Sequence, residues 1–428
     1  MEILKKAKIL NDKGLFFFNL GIIFLPSALP LGSLFLLIAL FISIFKNKRY
    51  FFEDKLNYLL LICLGLFITS SINNSVNFKN TIQSYLSSSL SSNEYLLNIW
   101  IDLFNWIPFL MLFWGFQFYL NTSEKRLLCS KSIIIGTFPV FITCIGQYWF
   151  GWNEKLSIFN GLIVWYQKDI EMMSGLFSNP NYAGLWLAMS WPFSYFLFLN
   201  TKEVSIKKIT ALIISIIILY VTVMTNSRNA LFAILTSVAL LIGKKFLFLA
   251  FLLFILLIIF YFLSSLFLPL EVSKTITEYL PKNLIGKFSK LDITTNLLRI
   301  DMWKISLQAI LNKPIFGWGA STFIFIYLYF GGLYKNAAPT HSHNFFLELA
   351  YNYGLPLAFI LTLFIAYLFW RIFTKKFADV FSSSNIDRAW FASSLVLIIF
   401  FLTDFPYYDG KISIIFWVLL SGLKRIGE

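Results

Sequence analysis

Both histidines of the chain lie in one short polar segment, THSHNFF, at residues 340–346. His341 and His343 are separated by a single serine, and Asn344 follows directly. An imidazole changes its charge near neutral pH, so histidine is well suited to exchange protons with a substrate. We therefore expect proton chemistry in this segment. The alternative is a structural role in which His343 caps the following helix, helped by Ser342 and Asn344.

Two arginines lie where a phosphate group could bind. Arg228 begins an apolar segment in the sequence TNSRNA, and Arg299 lies in the first turn of a predicted helix. A desolvated arginine at a helix start opposes the helix dipole and needs an anionic partner. For Arg228 that partner is either a carboxylate, Asp102 or Asp404, or a phosphate, which the guanidinium binds with a bidentate fork. For Arg299 the alternatives are a solvated charge and a lipid phosphate.

The composition is that of an integral membrane protein. Hydrophobic residues make up 58% of the chain, charged residues 13%, and the mean hydropathy is +0.74, whereas soluble domains contain roughly 25% charged residues. Apolar segments close to the ~20 residues that cross a bilayer recur along the chain. We predict an all-α, polytopic fold with about twelve transmembrane helices. The predicted spans are residues 15–28, 31–45, 58–72, 99–120, 132–150, 181–199, 209–223, 229–242, 246–268, 355–373, 390–405 and 412–423. The first two are alternatively one hairpin broken at Pro26 and Pro30.

Basic residues collect in alternate loops and account for the formal charge of +14. Lys46, Lys48 and Arg49 lie in one such loop, and Lys207 and Lys208 lie in another. Basic loops of membrane proteins stay on the cytoplasmic side. We therefore expect both termini in the cytoplasm, with the lipid bilayer and not a nucleic acid as the partner that explains the charge.

The predicted topology divides the membrane domain into three parts. Residues 1–268 form N-terminal transmembrane helices, residues 269–343 a large external loop, and residues 344–428 C-terminal transmembrane helices. In the loop, Asn296 is predicted to cap an amphipathic helix that carries Trp303 to the membrane surface and ends before Pro314. The centres of the predicted spans hold no ionisable residue, whereas ion-coupled carriers place such residues at the midplane. The sequence therefore predicts that function resides at the outer surface.

Four sequence blocks resemble, in their order, the O-antigen ligase and O-antigen polymerase superfamily. They are GLFSNPNYAG at residues 175–184, NSRNA at 226–230, RIDMWKISLQAILNKPIFGWG at 299–319 and HSHNFFLELAYNYG at 341–354. In the ligases, a histidine followed by Asn, Ser or Gln, with a glycine ten positions after that second residue, marks the catalytic loop. His343, Asn344 and Gly354 fit this spacing. Leu357 stands where Gly, Thr or Tyr is typical, so both ligase and polymerase stay open.

The resemblance implies a glycosyltransferase with a fold like that of the membrane-embedded, lipid-donor (GT-C-like) enzymes. Members take a glycan from undecaprenyl pyrophosphate on the periplasmic face of the bacterial inner membrane. They join it to an acceptor such as a lipid A-core sugar, a growing repeat unit or a protein hydroxyl. For this chain the resemblance implies a metal-independent, inverting reaction without a cofactor. His343 is then the base, and Arg228 and Arg299 bind the departing pyrophosphate.

Five further residues are expected to support the site. His341 is expected to support His343 or to bind the acceptor, and Asn344 to orient a reacting group. Asn179 and Asn181 flank a proline that is well placed to begin a helix, with direct glycan contact as the alternative. Asp404 is expected at the outer end of a span.

Two other functions stay open from the sequence. A repeat-unit polymerase would use the same donor with a lipid-linked acceptor. A solute carrier of the bicarbonate type is the alternative from another class, because the spans are numerous and some relatives carry that label. The absence of ionisable residues from the predicted span centres argues against a carrier.

Reporter fusions test the predicted topology. Fusions after Lys131, Lys208 and Lys376 should report a cytoplasmic location, and fusions within residues 275–295 an external one, because basic loops remain cytoplasmic. An external signal at Lys208 would reverse the alternation and remove the argument for chemistry at the outer surface.

Overall fold

Helices dominate the computed structural model, which describes residues 12–77, 92–152, 156–158, 163–165, 172–201, 203–242, 293–333, 339–376 and 386–428. The α-helices are α1 (Lys13–Phe24), α2 (Leu29–Glu53), α3 (Lys55–Val76), α4 (Ser92–Asp102), α5 (Ile107–Phe116), α6 (Ser123–Phe150), α7 (Pro180–Asn200), α8 (Ile206–Met224), α9 (Arg228–Ile242), α10 (Ile293–Asn312), α11 (Phe323–Tyr329), α12 (Phe345–Tyr353), α13 (Leu355–Arg371), α14 (Ile386–Phe401) and α15 (Gly410–Gly427). A short antiparallel hairpin pairs β1 (Leu156–Ile158) with β2 (Ile163–Trp165).

Six helical stretches in the described part of the chain are long and apolar enough to cross a membrane. They are Leu29–Asn47, Lys55–Val76, Leu96–Tyr119, Ser123–Phe150, Ile206–Met224 and Leu355–Thr374. Each overlaps one predicted span, and α1, α7, α9, α14 and α15 occupy five more. The predicted span 246–268 lies outside the described residues. The chain is thus a multi-pass membrane protein, and the number of twelve spans stays a prediction.

Polar residues and prolines define several helix starts. The side chain of Asn179 accepts the Asn181 N–H, and Pro180 then opens α7, as the sequence predicted. Thr122 caps α6 in the same way, and Ser205 caps α8. Helices α1 and α2 are separate and pack against each other as a hairpin.

Helices α7, α9 and α14 pack on one another and bring three helix termini together. Arg388, in the first turn of α14, donates to the Leu240 carbonyl near the end of α9 at 2.6 Å. These two helices therefore run antiparallel, and the start of α9 lies beside the end of α14. Gly184, near the start of α7, faces the turn before α9, since a Cβ there would lie 2.8 Å from Ser227 Cβ.

The described part of the predicted loop is fastened to the helical bundle. The N–H groups of Trp318 and Gly319 donate to the last carbonyls of α12, at 2.7 Å and 3.0 Å. From α3, the Ser70 hydroxyl donates to the Phe316 carbonyl at 2.6 Å. Gly317 has φ +65°, and a Cβ there would lie 2.4 Å from the Tyr351 carbonyl oxygen, so glycine is required for this close approach.

The loop helix α10 begins earlier than predicted. It starts at Ile293, so the prediction that Asn296 caps it is wrong, and Asn296 lies inside its first turn. Asparagine is also tolerated inside helices, so this residue alone does not mark where α10 begins. The predicted end of α10 before Pro314 is confirmed, because the helix ends at Asn312.

Candidate active site

The histidine segment is a turn that ends directly at α12. The Asn344 side chain caps this helix by accepting the Leu347 N–H at 3.0 Å, so the alternative reading of His343 as the cap is wrong. The Asn344 amide also donates to the Leu402 carbonyl at 2.8 Å. His343 has φ +53°, a left-handed conformation that a side chain other than glycine adopts only where its surroundings hold it.

The Glu348 carboxylate holds this turn from the inside. Glu348 is 2% exposed, and its Oε2 accepts the Ser342 N–H at 2.8 Å and the Ser342 hydroxyl at 2.9 Å. Its Oε1 accepts the Asn352 amide at 3.0 Å and the Tyr408 hydroxyl at 3.1 Å. Four donors converge on one side chain that can only accept, and together they fix the backbone between the two histidines. The sequence analysis missed Glu348, although a single acid inside an apolar helix was a usable signal.

Asp404 pairs with the predicted base. Its Oδ1 lies 2.8 Å from His343 Nδ1, although the two residues are 61 positions apart in sequence. A carboxylate only accepts hydrogen bonds, so Nδ1 carries the hydrogen and Nε2 of the neutral ring keeps a lone pair. The His343 side chain is 28% exposed and that of Asp404 is 3% exposed. The pair therefore presents an imidazole to solvent and hides the carboxylate that orients it.

Several donors keep the buried Asp404 charged. Burial would raise its pKa, but the hydrogen bond and charge of His343, the Phe405 N–H and the charge of Arg299 together hold the pKa below its ordinary value. The Phe405 N–H lies 2.8 Å from Oδ1, and the Asn181 amide donates to Oδ2 at 3.2 Å. The predicted residues Asn181, Arg299 and His343 are thus gathered around one carboxylate.

His341 stacks on His343, with ring centroids 4.2 Å apart and an angle of 29° between the planes. Its Nδ1 lies 2.9 Å from the Thr340 hydroxyl. Burial, followed by the charge of His343, lowers its pKa, against the opposing effect of Glu348 and Asp404. A lowered pKa favours the neutral ring, which suits a supporting role beside His343 better than that of a second cation.

The remaining predicted residues lie around this centre in different ways. Asn179 caps α7. Arg228 is the first residue of α9, at the end that lies beside the end of α14. One ligand atom from each of His341, His343 and Asp404 lies within 4.8 Å of the other two. These three could hold a metal ion, which the sequence did not indicate because Asp404 is distant along the chain.

Stacked aromatic rings pack next to the helix ends that carry the histidine turn and Asp404. Phe345, the first residue of α12, stacks on Phe401 at the end of α14 with centroids 5.5 Å apart. Trp106 stacks on Tyr407 at 4.2 Å, and the Trp417 indole donates to the Tyr407 hydroxyl at 2.8 Å. Ring pairs of this kind add roughly 0.5–1.5 kcal/mol each beyond their burial. The stacking of Phe345 on Phe401 thus holds the start of α12 against the end of α14.

Fold and site together define a multi-pass membrane protein with a histidine–aspartate pair where several helix ends meet. Residues 213–362 match the family model of O-antigen ligase, which confirms the resemblance to the O-antigen ligase and polymerase superfamily. The matched region contains Arg228, Arg299 and both histidines, whereas Asn179, Asn181 and Asp404 lie outside it. No curated protein sequence matches the chain.

Replacing Glu348 should destabilise the protein. Glu348→Ala leaves the Ser342 donors, Asn352 and Tyr408 without their acceptor, and we expect a loss of roughly 3 kcal/mol or more in unfolding free energy. Glu348→Gln should fall between wild type and alanine, because its amide turns a donor toward a donor. The measurement is the thermal unfolding midpoint in detergent, with the exposed Glu124→Gln as control. Unchanged midpoints in both Glu348 variants would contradict the anchoring role.

Proposed function

We propose that the protein is an O-antigen ligase-type glycosyltransferase of the bacterial inner membrane. It moves a glycan from undecaprenyl pyrophosphate to a hydroxyl of lipid A-core, or of another acceptor, on the periplasmic face, with both termini in the cytoplasm. The observation that carries the proposal is the hydrogen bond between His343 and the buried Asp404, because His343 lies within the region that matches O-antigen ligase.

In the proposed reaction His343 is the general base. Its Nε2 accepts the proton of the acceptor hydroxyl while that oxygen bonds to the anomeric carbon of the donor glycan. The bond from that carbon to the pyrophosphate oxygen breaks in the same displacement, so the configuration inverts. Asp404 keeps Nδ1 protonated before the reaction and stabilises the imidazolium that forms. The imidazolium later returns the proton to water.

Arg228 and Arg299 are proposed to take the charge of the leaving group. The bond that breaks leaves both electrons on the pyrophosphate, and a guanidinium neutralises such a group with two parallel hydrogen bonds. Arg299 is near enough to affect the pKa of Asp404, and Arg228 opens a helix whose start lies beside the end of α14. Two arginines in these positions allow a metal-independent reaction.

The acceptor distinguishes ligase from polymerase. A repeat-unit polymerase would carry out the same displacement with a lipid-linked glycan as acceptor. Incubation with labelled donor and each acceptor in turn identifies the natural reaction, since the product is either modified lipid A-core or a longer lipid-linked chain.

Replacing either arginine should slow transfer without loss of folded protein. Arg228→Ala or Arg299→Ala removes transition-state stabilisation of about 2–4 kcal/mol, and lysine should restore only part of the rate because a point charge cannot replace the fork. The measurement is the initial rate with saturating lipid-linked donor. Lys304→Ala, which removes a charge from the same helix as Arg299, serves as control. A full rate in Arg228→Ala would leave that arginine with a structural role only.

Replacing the two histidines should have unequal effects. His343→Ala should lower transfer by about 10²–10⁴-fold, the usual contribution of a general base, while donor still binds. His341→Ala should reduce the rate less, because that ring does not exchange the proton. The assay uses purified protein in nanodiscs, undecaprenyl-pyrophosphate glycan and acceptor, with and without chelator. Equal rates in wild type and His343→Ala would reject the base, and a loss of transfer on chelation would reject the metal-independent reaction.

A further inference from the structure

We propose that His341, His343 and Asp404 form a binding site for a divalent transition-metal cation such as Zn²⁺, and that the occupied site is inactive. One ligand atom of each residue lies within 4.8 Å of the other two. Two imidazoles and one carboxylate are a ligand set of zinc sites that have three protein ligands and a water in the fourth position. The binding step stands on this geometry alone, and the inhibition rests on the proposed function.

An unsatisfied nitrogen of His341 supports the site. Its Nε2 is buried and has no hydrogen-bond partner among the described residues, although a buried polar atom without a partner costs roughly 1–3 kcal/mol. Its Nδ1 lies 2.9 Å from the Thr340 hydroxyl. When Nδ1 donates to that hydroxyl, Nε2 holds a lone pair, which is what a metal ion coordinates.

Neighbouring groups already orient the proposed ligands. The Asn181 amide fixes one oxygen of Asp404 and the Phe405 N–H fixes the other. Such contacts behind a ligand commonly change metal affinity by about 10–100-fold. Tetrahedral zinc with bonds near 2.0–2.1 Å separates its ligand atoms by roughly 3.4 Å. Ligand atoms that are up to 4.8 Å apart must therefore approach each other by up to about 1.4 Å when the ion binds.

Charge near the site limits the affinity. Arg299 lies close enough to lower the pKa of Asp404, and its positive charge repels a cation. We therefore expect reversible binding that is weaker than that of structural zinc, which binds through four protein ligands. An ion held between Asp404 and His343 takes the place of the hydrogen on Nδ1, and that proton moves to Nε2. His343 then has no lone pair left with which to accept a proton.

Metal titration of the purified full chain in nanodiscs tests the site. Co²⁺ should bind in one equivalent with the visible absorption of a tetrahedral ion, and Zn²⁺ should displace it. His341→Ala should weaken binding by more than about 100-fold, and His341→Gln serves as a second variant if alanine lowers the yield. Asp409→Asn, a change at a helix cap outside the site, should bind as wild type does. The proposed site is wrong if wild type gives no Co²⁺ spectrum, or if both His341 variants bind Co²⁺ as tightly as wild type does.

Transfer assays separate the site from the proposed function. Zn²⁺ should slow wild-type transfer at the concentrations at which it binds, and His341→Ala should be at least about 10-fold less sensitive. If Zn²⁺ binds in one equivalent and transfer continues unchanged, the metal site stands and the role of His343 as base fails. If Zn²⁺ inhibits wild type and His341→Ala equally, inhibition arises elsewhere and the inhibitory part of the proposal is wrong.

Discussion

The arrangement of the site depends on the hydrogen bonds that the buried carboxylate of Asp404 accepts. A carboxylate removed from water is strongly unfavourable unless it is paired and hydrogen-bonded, and Asp404 is only 2% exposed. Two of its donors come from distant parts of the chain, the ring of His343 and the amide of Asn181 at the start of α7. The third is the N–H of the adjacent Phe405. Satisfying this one group requires α7, the histidine turn and the link after α14 to meet at one point.

The histidine turn is held by two buried carboxylates, Glu348 and Asp404, and both accept hydrogen bonds from it or from its neighbours. From within, Glu348 accepts from Ser342, Asn352 and Tyr408, and from outside, Asp404 accepts from His343. The turn can then maintain the positive φ of His343, which would be unfavourable in an unsupported loop. In the proposed reaction the ring of His343 is thus oriented before substrate binds, which favours proton transfer and charge stabilisation.

The sequence predicted features that depend on local chemistry. The opening of α7 at Asn179 and Pro180 and the end of α10 before Pro314 are fixed by caps and prolines within a few residues. It could not predict that Asp404 receives the hydrogen bond of His343, because that contact depends on helix packing across 61 positions. Asp404 was expected at the outer end of a span and as a possible partner of Arg228. Glu348 was overlooked for a related reason: its four donors become visible only when α12 and the turn at Tyr408 are folded together.

The most direct test of the account is the transfer rate of Asp404→Asn compared with Asp409→Asn. Each change removes one carboxylate charge, and the two residues are five positions apart. Asp409, however, caps α15 by accepting the Lys411 N–H, a role that asparagine can also fill. With asparagine at position 404, the amide can donate to Nδ1 and place the hydrogen on Nε2, so the lone pair needed by the base is lost. We expect the rate to fall by about 10²–10⁴-fold in folded, donor-binding Asp404→Asn and to stay near wild type in Asp409→Asn. A wild-type rate in Asp404→Asn would contradict it.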